Sequence, residues 1–179
     1  MSTTVGRVRS ALMLLVLPAV LATVLSACAD SGGSTGGSDG GPDQVDAVRA
    51  ATTERAQQVI PLVAEALGAT AVRAHGQWQS CMAISWRYEA FATVEAADGE
   101  AAAQLEQVRS ALVDAGWEDT TQVEGHVTVE RDDTTVDVQP TPARGRGTWT
   151  VSVTSSCADY DGDDLERVEN DEPREISGV

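Results

Sequence analysis

Two stretches with apolar residues at helical spacing are interleaved with stretches that change side at every second residue, and this mixture of periods restricts the chain to a fold with both helices and sheet. The first helical stretch covers residues 43–67 and aligns Val45, Val48, Thr52, Ala56, Val59, Val63 and Ala66. Asp43 is placed to cap it and Gly68 to end it, while Pro61 removes a backbone donor inside it and predicts a kink or break near residues 57–60. The second covers residues 98–115 with Ala101, Leu105, Val108 and Leu112 in line. Gly116 ends it, and Trp117 is expected to fold back on its last turn.

The period-two signal is strongest over residues 78–94, where Trp78, Met82, Ile84, Trp86 and Tyr88 oppose Gln79, Ser85, Arg87 and Glu89, the pattern of one half-buried strand. Val123, Val127 and Val129 predict a second strand, Asp132-Asp133 a tight turn, Val136 and Val138 a third strand, and Trp149, Val151 and Val153 a fourth that ends at Cys157. The order α-β-α-β-β-β with short connections favours antiparallel pairing. The expected fold is therefore α+β: a two-layer sandwich with a mainly antiparallel four-stranded sheet and two helices packed on one face. Trp78, Trp86 and Trp149 fall on the apolar parity of their strands and supply core bulk in a chain with a single Phe.

Ahead of this segment, Arg7 and Arg9 precede an apolar run over residues 11–25 and then Leu25-Ser26-Ala27-Cys28. The run contains Pro18 and is shorter than the roughly 20 residues that cross a bilayer, and no basic cluster follows it. These residues resemble the signal peptide and lipobox of bacterial lipoproteins. Ala27-Cys28-Ala29 also satisfies the small-x-small rule of ordinary secretory cleavage, which would leave a free protein, but Leu three positions before Cys matches the lipoprotein pattern better. The resemblance implies that residues 1–27 are removed and that Cys28 becomes an N-terminus carrying diacylglycerol. It also implies anchorage at the outer face of the plasma membrane, made stable by two acyl chains. Residues 28–42, rich in Gly and Ser, read as a flexible tether, residues 43–158 as a single α/β domain, and residues 159–179 as an acidic disordered tail. Ala111-Leu112-Val113-Asp114-Ala115-Gly116-Trp117 and Trp149-Thr150-Val151-Ser152-Val153-Thr154-Ser155-Ser156-Cys157 resemble small actinobacterial lipoproteins. That likeness implies a shared fold and an envelope address, with no activity attached. The absence of Lys fits a GC-rich genome.

With Cys28 assigned to lipid, Cys81 and Cys157 remain as an even pair in an exported chain and are expected to form a disulfide. Closing so long a loop is worth about 4–5 kcal/mol in the chain-entropy account. The two differ in strand parity, so the bridge requires a bulge near Ser80 or a strand that begins after Cys81; the latter is expected. The formal charge of −16 disfavours nucleic acid and anionic headgroups. The expected partners are the membrane, through the anchor, and a protein or envelope component.

Candidate chemistry is sparse. Asp159-Tyr160-Asp161-Gly162-Asp163-Asp164 begins like a calcium loop, but Asp164 and Asn170 stand where the loop requires Gly and a bidentate Glu. His75 and His126 are the available neutral-pH bases, and no nucleophile motif accompanies either. Nor do they sit at ligand spacing from the cysteines, so no metal or cofactor is expected. Arg144-Gly145-Arg146-Gly147, between the last two strands, is the one concentrated basic spot and a weak candidate for anion binding through Arg144 and Arg146. The reading is a non-enzymatic binding or interaction module. A carrier with an apolar slot between sheet and helices is the alternative, and a hydrolase the third.

Overall fold

A computed structural model describes residues 43–179; the stretches expected to be signal peptide and tether, and Cys28, lie outside these residues. The first helix, α1, spans Gln44–Ala66. Asp43 caps it, accepting a hydrogen bond from the Asp46 amide at 2.8 Å, and Gly68 leaves it with φ of 59°. The break predicted at Pro61 does not occur, and the helix runs through it. Pro61 itself faces solvent while Ile60 and Val63 on either side are fully buried, and their packing offsets the lost backbone bond.

The single strand predicted over residues 78–94 is instead a hairpin. Strand β1 (Ala71–Ser80) turns through residues 81–84 into β2 (Ser85–Glu95), with Trp78 opposite Tyr88 and Ala74 opposite Ala92. The even-numbered residues point inward in both strands, so the turn preserves the phase of the alternation and hides itself in the sequence. Met82 and Ile84, expected in the core, sit at the tip and are 75% and 52% exposed. Cys81 lies in this turn, which the Cys81 and Met82 amides close by donating to the Ser85 carbonyl. Freed from strand parity, Cys81 reaches Cys157 in a disulfide with Cα atoms 6.4 Å apart.

Helix α2 (Ala101–Asp114) buries Leu105, Val108 and Leu112. It ends at Gly116, and the Trp117 amide returns to the Leu112 carbonyl at 3.1 Å. After it come a short β3 (Glu118–Asp119), β4 (Val127–Arg131), β5 (Thr134–Pro140) and β6 (Thr148–Ser155). Val123, expected in a strand, lies in the loop before β4 and is 58% exposed.

One further correction concerns the C-terminus. The expected disordered tail is folded: β7 (Ala158–Asp159) pairs with β2, α3 spans Gly162–Asn170, and β8 (Arg174–Glu175) pairs with β1. Tyr160, Val168 and Ile176 are the buried residues that hold it. Asp161, Asp163 and Asp164, which resemble the start of a calcium loop, are the N-cap and first turn of α3, where negative charge meets the positive end of the helix dipole. Arg49 and Arg174 pair with Asp171, and Arg167 with Asp43 and Asp46, so ion pairs tie this segment to the start of α1. The Asp46 amide and the Arg167 guanidinium hold the Asp43 carboxyl below the usual carboxylate range.

The architecture is α+β with three helices and an antiparallel sheet of eight strands rather than four, in the order β3-β4-β5-β6-β2-β1-β8 with β7 beside β2. Register stacks the inward residues into cross-strand rows. Val127, Val138, Val151, Ala92 and Ala74 form one row, and Val129, Val136, Val153 and Ala90 the next. Both rows share a buried cluster with Ile60 and Val63 of α1 and Val108 and Leu112 of α2. A smaller cluster joins Val45, Trp78, Tyr88, Tyr160 and Val168. No described helix is long and apolar enough to cross a membrane.

Candidate functional site

Because side chains alternate across a strand, the residues between these apolar rows form a second set with its own rows. Thr128, Asp137, Ser152, Phe91 and His75 lie in register across β4, β5, β6, β2 and β1. Flanking them are Glu130, Thr135, Thr154, Glu89 and Gln77 on one side and Gln139, Thr150, Thr93 and Arg73 on the other. Most are half-buried. Glu89 sits lower, 9% exposed, and its carboxylate accepts hydrogen bonds from the Gln79 amide and the Ser152 hydroxyl. Thr128 donates to Asp137 at 3.0 Å.

Phe91 is the aromatic residue in this polar field. The β5–β6 connection carries a one-turn helix, Pro142–Arg144, and the Thr141 hydroxyl bonds that of Thr150 at 3.2 Å, which draws the connection toward the polar face. Arg144 is thereby held with its guanidinium carbon 5.2 Å from the centre of the Phe91 ring. The His75 ring lies 5.4 Å from the same ring. Next to His75 is a cavity of about 240 Å³ lined by Ala71, Arg73, His75, Thr93 and Glu95. Arg144, Phe91, His75 and Arg73 thus form one continuous corner. Arg146, the other arginine of the predicted basic spot, is exposed in the turn beyond.

The two histidines are not brought together. They are separated by four strand positions, about 19 Å at the usual interstrand spacing. His126 Nδ1 is 3.5 Å from Asp137, whose same oxygen accepts from Thr128, and His75 rests on Phe91. Trp78 and Trp149 are core residues, as expected, and Trp86 is half-buried against the smaller cluster. Sequence reasoning missed Phe91, Arg73 and Thr93. The available signal was an aromatic residue on the wet parity of β2, continuing Arg87 and Glu89.

The other surface cavities are built differently. One of about 500 Å³ contains Arg49, Arg167 and Arg174, each already paired with an aspartate. Another of about 800 Å³ runs along the outside of α1 and α2, past Leu62, Ala66, Ala103 and Ala111. Comparison of the chain with protein-family models, curated proteins and solved structures finds no match.

Proposed function

We propose that this chain is a lipid-anchored, non-enzymatic binding module at the outer face of the plasma membrane, holding an envelope component against the polar face of its sheet. In this reading α1, α2 and α3 cover the apolar side and give a two-layer sandwich whose other side is open. The carrying observation is the contrast between the two sets of strand residues. One is fully buried valine and alanine beneath the helices; the other is Thr, Ser and Gln around the Arg144–Phe91–His75 corner.

The space a carrier would use between helices and sheet is filled by Ile60, Val63, Val108, Leu112 and Val151, each with no exposed surface, which favours surface binding. A hydrolase would need a histidine beside a serine and an acid, and the partners of His126 are Asp137 and, through it, Thr128.

Retention of the purified protein on isolated envelope fragments tests the binding surface. Thr135→Val with Gln139→Leu is expected to reduce retention about tenfold, the size of a few lost polar contacts, with thermal unfolding unchanged. Undiminished retention would remove the polar face from consideration. The anchor is tested separately: Cys28→Ala should shift the protein from the membrane fraction to the medium or leave it as uncleaved precursor. Mass spectrometry of a mature chain that begins at Asp30 without acyl mass would overturn the lipid assignment.

A further inference from the structure

We infer that the Arg73–His75–Phe91–Arg144 corner binds the carboxylate or phosphate of an acidic glycan, an assignment that rests on the polar face being the binding surface. The arginines of this protein divide by location. Arg49, Arg55, Arg109, Arg167 and Arg174 stand in ion pairs with carboxylates, and Arg131 donates to the Ala115 carbonyl and stacks 4.4 Å from Trp117. All of these belong to the helices, the β4 edge or the C-terminal segment. Among the described residues Arg73, Arg144 and Arg146 make no ion pair, and neither does Arg87, which lies on the polar face toward the hairpin tip.

Five of the ten arginines among the described residues thus make no ion pair, in a sequence with 28 acidic residues against 12 basic ones. Two of these five, Arg73 and Arg144, flank His75 and Phe91, and a third, Arg146, lies two residues further along the same connection. A guanidinium presents parallel N–H groups that match the paired oxygens of carboxylate or phosphate. The strongly negative charge of the chain does not forbid this, because repulsion from carboxylates beyond about 8 Å is screened at physiological salt. Glu95 in the same cavity and Glu175 opposite His75 limit the corner to an isolated anionic group and disfavour a dense polyanion.

The rest of the ligand follows from the neighbours. Thr93 on β2 and Gln139 on β5 lie beyond Phe91 on the same face and offer hydroxyl and amide groups, the partners of a polyhydroxylated chain. Phe91 offers an apolar surface to a sugar ring. A peptide adding to this sheet would use backbone groups at a strand edge, whereas on the face those groups are spent in the ladder.

Calorimetric titration of the disulfide-bonded protein with tetragalacturonate, its methyl ester and glucose 6-phosphate tests the assignment. The free acid is expected to bind about tenfold more tightly than the ester, the worth of a charge-assisted pair. Arg73→Ala with Arg144→Ala should abolish that difference while leaving the circular dichroism unchanged. Glucose 6-phosphate binding that disappears in the same variant also supports the site and identifies phosphate as its anion; carboxylate-only binding supports it with carboxylate in that role. Equal affinity for acid and ester overturns the anion site while leaving the polar face as a binding surface. Binding of none of the three overturns the glycan assignment, and envelope retention of the Thr135→Val, Gln139→Leu protein then decides the surface independently.

Discussion

Cys157→Ser is expected to lower the melting temperature by about 10–15 °C, the largest effect of any single side-chain change outside the core. The bridge joins residues 76 positions apart, enclosing the chain from the β1–β2 turn to the end of β6. In the chain-entropy account a loop of that length contributes about 4 kcal/mol, chiefly by restricting the unfolded chain. The β1–β2 ladder and the valine rows do not depend on it, so the variant should retain its circular dichroism spectrum and unfold at lower temperature. Scanning calorimetry of the oxidised protein, the reduced protein and the variant measures the effect. Equal melting temperatures for all three would show that the bridge carries no stability. Membrane attachment, if it rests on Cys28 as proposed, should be the same in each.

Gly76→Ala is expected to cost about 3 kcal/mol, the upper part of the range for overpacking, and to disturb the smaller core cluster. A Cβ at this position would lie 2.1 Å from the Tyr88 hydroxyl oxygen and 2.7 Å from Cζ, because the Tyr88 ring crosses the strand directly over the glycine. Tyr88 is 1% exposed and cannot swing aside cheaply. Its ring stands 5.3 Å from that of Trp78, which in turn meets Tyr160 at 5.4 Å, so displacement would propagate toward α3. A double-mutant cycle with Tyr88→Leu should be strongly non-additive, since the clash disappears with the ring. Additive costs would place the effect in the backbone of β1 instead.

The smaller cluster also explains which parts of the fold were legible. Both long helices were readable because their stripes, the Asp43 cap and the Gly68 and Gly116 ends are local features, and the structure places them within a few residues of expectation. The Cys81–Cys157 pairing was readable from cysteine parity within the chain, and the apparent conflict of strand phase dissolved once Cys81 proved to lie in a turn. The hairpin itself was not readable. Residues 81–84 contain neither Gly nor Pro, and an even-length turn keeps the inward residues in phase, so no local signal separates β1 from β2.

The C-terminal segment failed for a different reason. Residues 159–179 are too acidic and too poor in apolar residues to fold alone, which is all that composition can report. Their order comes from elsewhere: the Tyr160 and Val168 side chains enter a cluster built by Val45, Trp78 and Tyr88, and Asp171 meets Arg49. The candidate site has the same character. Arg144 was visible as part of a basic spot, but Phe91 and His75 belong to a different part of the chain, and their meeting depends on strand register. By itself the sequence determined what depends on neighbours a few positions apart: helix stripes, caps, the alternation of strands, the sign of the charge and the even cysteine pair. Only the tertiary structure decided the eight-strand order, the docking of the tail and the convergence of Arg73, His75, Phe91 and Arg144. Those contacts join residues far apart in the chain, and their energy exists only once the sheet has brought them into register.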